Sequence, residues 1–182
     1  MKLKYIINIY GGPGVGKSTV AAQLFALMKK MNYNVEFVTE YAKELTYEGR
    51  YNVLDQDQLY VFAKQHRKIM RLKNRVEYII SDSPLLLSSV YSELNPFNVH
   101  DHSIFEKLVF NINEQYGNID ILLLRNSDYI YKQEGRYQDE EGALFVDKRI
   151  KTLIDKKCLG IIHLLSDDNA VEKILKFVRK HE

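Results

Sequence analysis

Gly11-Gly12-Pro13-Gly14-Val15-Gly16-Lys17-Ser18 matches the phosphate-loop pattern G-x-x-x-x-G-K-[ST] in full. Glycines at these spacings let backbone N–H groups wrap a phosphate, and a helix opening at the lysine turns the positive end of its dipole toward the same anion. Lys17 is placed to reach the β- and γ-phosphates of ATP. Ser18 is placed to set its hydroxyl on Mg²⁺, with Thr19 as a second polar residue of the first turn. The segment from Gly11 to Thr19 is therefore expected to hold the nucleotide.

Two carboxylates fit the same chemistry. Asp82 closes an apolar run in Tyr78-Ile79-Ile80-Ser81-Asp82-Ser83-Pro84, and Glu40 closes another in Thr39-Glu40-Tyr41-Ala42-Lys43-Glu44. If both runs are parallel strands, their ends meet at the edge that carries the phosphate loop. Asp82 then meets Mg²⁺ or a water on it, and Glu40 becomes the first candidate to accept the proton of an acceptor hydroxyl. Helix capping is the alternative for each: Glu40 ahead of a following helix, Asp82 ahead of Pro84. Further on, 126–142 is dense in charge and holds Gly135 and Gly142, which suits a mobile lid. Arg136 is its candidate phosphoryl-stabilising cation, and Arg125 is placed to lie against the adenine or its phosphates. Lys132 and Arg149 are weaker alternatives, and a solvated loop is the plain one.

Absent motifs narrow the class. Ser83, not glutamate, follows Asp82, which argues against a motor-type ATPase. N-K-x-D for guanine is missing, and Asp139-Glu140-Glu141-Gly142 matches D-x-x-G only outside a strand. A small P-loop kinase remains.

The elements that must position these residues follow from periodicity. Strands are predicted over Lys4–Tyr10, Val35–Thr39, Val76–Ser81, Ile119–Leu124 and Gly160–Leu165, mostly apolar as strands buried on both faces are. Helices are predicted from Lys17 to about Asn32, from Asp55 (as N-cap) to Asn74, and over Pro84–Leu94, Ser103–Tyr116, Ala143–Lys157 and Asn169–Arg179. The first is expected to bury Ala21, Leu24, Phe25, Leu27 and Met28; the second, Leu59, Phe62, Ala63, Ile69 and Met70. The alternation implies an α/β, three-layer fold: a five-stranded parallel sheet with helices on both faces.

At 182 residues with no repeat or linker, the chain is expected to form one domain over 1–182. Hydrophobic residues at 46% and only 3 Pro exclude a disordered or low-complexity chain. The net charge of +2 gives no bulk case for a nucleic-acid or membrane-surface protein. No apolar run approaches the ~18 residues needed to cross a bilayer. The single cysteine, Cys158, forms no internal disulfide, and a reducing, cytoplasmic setting is expected.

Several segments together resemble the ribosylnicotinamide-kinase domain of the NadR-like P-loop kinase family, which also occurs in phages as small stand-alone kinases. They are the phosphate loop, Glu40-Tyr41-Ala42-Lys43-Glu44, the helix Gln58–Gln65, Ser81-Asp82-Ser83-Pro84-Leu85-Leu86-Leu87 leading into Val90-Tyr91-Ser92-Glu93, and Glu134-Gly135-Arg136. The resemblance implies ATP-dependent phosphorylation of a nucleoside-like or nucleotide acceptor. The first strand begins at once, so the adenylyltransferase domain that precedes the kinase in full-length NadR is expected to be missing.

Acceptor recognition is expected between the second and third strands. Tyr41, Tyr60 and Phe62 offer stacking faces, and Gln58 and Gln65 share a helix face from which to hydrogen-bond a base. Core packing is the alternative for Phe62. The basic run Lys64, Arg67, Lys68, Arg71, Lys73, Arg75 keeps a nucleic-acid acceptor open as a second reading, and a nucleotide-sensing module without turnover is a third.

Overall fold

The computed structural model describes residues 2–94, 101–126, 131, 138–157 and 160–181. The apolar run Tyr5–Tyr10 is β1, the central strand. Around it lie β2 (Val35–Val38), β3 (Tyr78–Ser81), β4 (Asn118–Leu124) and β5 (Ile162–Leu165), in the order β2-β3-β1-β4-β5. Every pairing is parallel, with Asn8 beside Ser81 on one side and Asp120 on the other.

The period-two alternation of a strand sorts the side chains into two cores. Ile7, Ile9, Ile80, Ile121 and Leu123 join α1 (Lys17–Lys30) and α8 (Ala170–Lys180) on one face. Ile6, Tyr10, Ile79 and Leu122 join α4 (Gln58–Met70), α5 (Leu87–Leu94), α6 (His102–Asn113) and α7 (Glu140–Lys157) on the other. The expected three-layer α/β architecture is present. A third, small cluster of Leu45, Leu54 and Val61 joins α2 (Tyr41–Tyr47), α3 (Tyr51–Gln56) and α4.

That third cluster corrects one expectation. The helix predicted from Asp55 begins instead at Gln58: the chain breaks at Asp57 (φ −144, ψ 65), whose carboxylate accepts the Tyr60 N–H at 2.9 Å, and a separate helix, α3, precedes it. Asp55 lies inside α3, and the N-cap of α4 is Asp57. Folding α3 back buries Leu54 against Leu45 and Val61, a contact that a continuous helix would lose. The core face of α4 is accordingly Gln58, Val61, Phe62, Gln65 and Ile69, while Leu59 and Met70 are exposed. Phe62 packs edge-on to Phe105, the core role named as its alternative. Phe25 and Leu27 of α1 are only partly buried. The strand predicted from Val76 begins at Tyr78. Among the described residues, no helix is long and apolar enough to cross a membrane.

One polar network interrupts the core. Asn8 donates to Asn118 Oδ1 at 2.9 Å and Asp120 Oδ1 at 2.8 Å, and Asn118 donates to the carbonyls of Asn113 and Tyr116. Burial raises the Asp120 carboxyl above its usual range, and the Asn8 hydrogen bond only partly opposes this. The folded state therefore holds this proton more tightly than the unfolded chain. Its stabilising effect is complete below the unfolded carboxylate value and is lost as pH rises through the folded one. Asp120→Asn keeps the acceptor for Asn8 and removes the titration. Melting midpoints from pH 4 to 8 should fall less steeply for the variant than for the wild type; parallel curves would show that Asp120 does not carry this proton.

Candidate active site

The phosphate loop joins β1 to α1, and its geometry explains its glycines. Gly14 (φ 82) and Gly16 (φ 98) are left-handed. A Cβ on Gly16 would lie 2.6 Å from Ser166 Oγ, in the loop after β5, and one on Gly14 would lie 2.8 Å from the Tyr131 ring. Lys17 Nζ donates to the carbonyls of Gly11 (2.8 Å) and Gly12 (3.0 Å), folded over the loop. Burial lowers its pKa, while the carboxylates of Glu40, Asp82 and Asp147 hold its charge in place.

Asp82 follows β3 and is 3% exposed. Its Oδ2 accepts the Ser18 hydroxyl at 2.6 Å, whereas its buried Oδ1 has no hydrogen-bond partner among the described residues. A buried carboxylate oxygen without a donor, beside a hydroxyl at a phosphate loop, is the hard-oxygen set that suits Mg²⁺. The residues fit the ion.

Glu40 stands at the N-cap of α2 with extended backbone (φ −63, ψ 122), yet its side chain makes no capping bond. Gln65 does that work from α4, its Oε1 accepting the Tyr41 N–H at 2.9 Å. The Glu40 carboxylate is thereby left facing the cleft, where burial raises its pKa, the Lys17 ammonium opposes the rise and Asp82 adds to it. Gln65, 3% exposed, keeps its amide Nε2 buried, without a hydrogen-bond partner among the described residues. One cleft of about 420 Å³ is lined by Lys17, Ser18 and Thr19 at one end and by Glu40, Gln58 and Gln65 at the other.

Other expected residues fall elsewhere. The Tyr41 hydroxyl meets that of Tyr60 at 3.2 Å and its ring lies beneath Lys64 and Lys68, so its side chain does not line the cleft. The pairing pushes the Tyr41 phenol up to about 12, with burial as the larger cause. Val15 serves the core with its side chain, at 2% exposed. Gly12 gives its N–H to Asp147, not to the cleft. Arg125 reaches the loop, donating to the Pro13 carbonyl at 2.9 Å. Arg149 is engaged by Glu93. Arg136 and Lys132 lie outside the described residues, as does most of 126–142. The Asp167 carboxylate accepts the Asn169 N–H at the start of α8.

Two residues of the site were given no role by the sequence. Tyr91 lines the cleft from α5, and its phenol is pushed well above its usual range by burial and by the Glu40 and Asp147 carboxylates. Asp147 sits mid-helix in α7, where a charged residue reads as surface.

Solved structures of known proteins share this fold. A NadR protein in complex with NR superposes with a TM-score of 0.66 at 16% identity, over 98% of this chain and 51% of that one. NadR with NAD and AMP-PNP gives 0.66 at 14%. Deoxyadenosine kinase from M. mycoides with bound dATP gives 0.61 at 20% identity, over 96% of this chain and 97% of that one. The chain thus spans about half the length of the NadR chains it matches. No curated protein matches it by sequence. The family description "AAA domain" matches residues 6–167, from β1 to the loop after β5. With phosphate loop, both strand-end carboxylates and sheet inside that span, the chain belongs to the AAA domain family.

Proposed function

We propose that the protein transfers the γ-phosphoryl group of ATP to a hydroxyl of a nucleoside-like small molecule. The observation that carries this reading is that a single cleft is lined both by the phosphate loop and by Glu40 and Gln65. The loop amides and Lys17 bind the phosphates. The acceptor oxygen attacks the γ-phosphorus, the bond from that phosphorus to the ADP oxygen breaks, and the hydroxyl proton passes to Glu40. Ser18 and Asp82 are the residues that would hold Mg²⁺, which neutralises charge on the β- and γ-phosphates when bound. Gln65 offers its unpartnered amide N–H to the acceptor, in the manner of a group that orients a base. Arg136 remains the proposed lid cation.

Charge separates acceptor classes. Among the described residues, the carboxylates and ammonium groups at the acceptor end of the cleft are Glu40, Asp55 and Lys43. This balance suits an uncharged or cationic nucleoside better than a monophosphate, whose dianion would face two carboxylates. The NadR and deoxyadenosine kinase structures, bound to NR and to dATP, support a nucleoside class. Within the basic run, Lys68 pairs with Glu44, Lys64 lies over Tyr60, and Lys73 lies over Tyr116, so these three lysines are engaged within the chain.

The test is labelled ATP with a panel of nicotinamide riboside, common nucleosides, their monophosphates, and single- and double-stranded DNA. A nucleoside should take the label. Label on DNA alone, lost steeply as salt rises, would replace this reading with the polymer kinase. ATP binding with no acceptor labelled would replace it with a nucleotide-sensing module.

A further inference from the structure

Asp147 divides its carboxylate between two parts of the nucleotide end of the cleft. Oδ1 accepts the Gly12 N–H at 2.6 Å. Oδ2 accepts from Arg125 twice, from Nε at 2.9 Å and Nη2 at 2.8 Å. The same Nη2 reaches the Pro13 carbonyl, which closes a ring through α7, the phosphate loop and the residue that follows β4. The loop also rests on the start of α7: a Cβ on Gly12 would come 2.8 Å from the Ala143 carbonyl. Both side chains of the ion pair are sheltered, at 20% and 27% exposed.

Two donors of Arg125 on one carboxylate oxygen fix the plane of its guanidinium. The remaining nitrogen, Nη1, is turned toward the glycine bend, 3.5 Å from where a Cβ on Gly14 would stand. Without Asp147, Arg125 regains its rotamers and the Gly12 amide loses its acceptor, so a nucleotide would have to order both as it binds. We infer that Asp147 is a positioning residue for ATP, holding Arg125 and the phosphate loop in their nucleotide-binding arrangement before the nucleotide arrives. The inference rests on the phosphotransferase reading and adds to it a residue from the helix that follows the lid segment.

The experiment titrates the full chain with AMP-PNP and Mg²⁺ by calorimetry, for the wild type, Asp147→Asn, Arg125→Gln and the double variant. Asp147→Asn keeps an acceptor for Gly12 and removes the charge that orients Arg125; Arg125→Gln leaves the Asp147–Gly12 bond intact. Each single variant should weaken AMP-PNP binding about tenfold, and the double variant should be no weaker than the weaker single, because the two act as one unit. In turnover assays the larger loss should appear in the KM for ATP rather than in kcat. Wild-type affinity in either single variant overturns the inference, as do losses that multiply in the double variant or a defect confined to kcat. These results leave the phosphotransferase reading standing. A wild type that binds no AMP-PNP overturns both.

Discussion

Lys17→Ala should reduce phosphoryl transfer by about a thousandfold and leave the fold intact. Lys17 is the cation folded over the phosphate loop, and three carboxylates hold its charge there against burial. Alanine removes the positive charge that the γ-phosphoryl group meets as its own charge spreads in the transition state. It also removes the hydrogen bonds to the Gly11 and Gly12 carbonyls. The loop is held independently by the Gly12 N–H on Asp147 and the Pro13 carbonyl on Arg125, and Val15 anchors it in the core. The melting midpoint should therefore stay within a few degrees of the wild type. Retained turnover would remove the phosphate-loop assignment; a collapsed melting curve would show that Lys17 is structural.

Glu40→Gln should lower kcat by about 10²–10⁴-fold while AMP-PNP binds as before, since the amide fills the same space and cannot take a proton. The pH profile gives a second reading of the same residue. Burial raises the Glu40 pKa from the usual 4.5, with Lys17 opposing and Asp82 adding to the rise. The base acts unprotonated, so kcat should climb with pH along a limb displaced above the ordinary carboxylate range. Lys17, whose pKa burial lowers, must stay protonated, so activity should decline at high pH earlier than a free lysine would allow. Glu40→Gln should abolish the acid limb and spare the alkaline one. An unchanged acid limb in the variant would assign that proton elsewhere.

What could be read from the chain alone was what short-range pattern encodes. Five apolar runs became five parallel strands, because a strand buried on both faces needs little more than its own composition to be recognised. Asp82 and Glu40 could be placed at one edge because parallel strand ends share it. What stayed hidden depends on contacts between distant segments. Asp147 is 135 residues from Gly12, and nothing around it distinguishes a carboxylate aimed at a backbone amide from one aimed at water. The short helix ahead of Asp57 is not legible in the sequence, because only the packing of Leu54 on Leu45 and Val61 rewards it. Gln65 was recognised as a cleft residue, but its capping of α2 was not: that bond crosses from one helix to another and frees Glu40, the side chain that sequence offered as the cap.

The unequal size of the three apolar clusters has a consequence for how such a protein diversifies. The nucleotide end of the cleft stands between two large cores that share the central sheet, whereas the acceptor end is borne by α2, α3 and α4 around Leu45, Leu54 and Val61. Helix α4 is anchored in the larger core by Phe62 and Ile69, but α2 and α3, held by so few buried side chains, open at lower free energy than the sheet beneath them. These two helices also absorb substitutions whose destabilising effect stays local, because their buried side chains, Leu45 and Leu54, belong to the small cluster. Selection for a new acceptor thus has a small, separable part of the chain to rewrite, and the phosphate donor site is inherited unchanged.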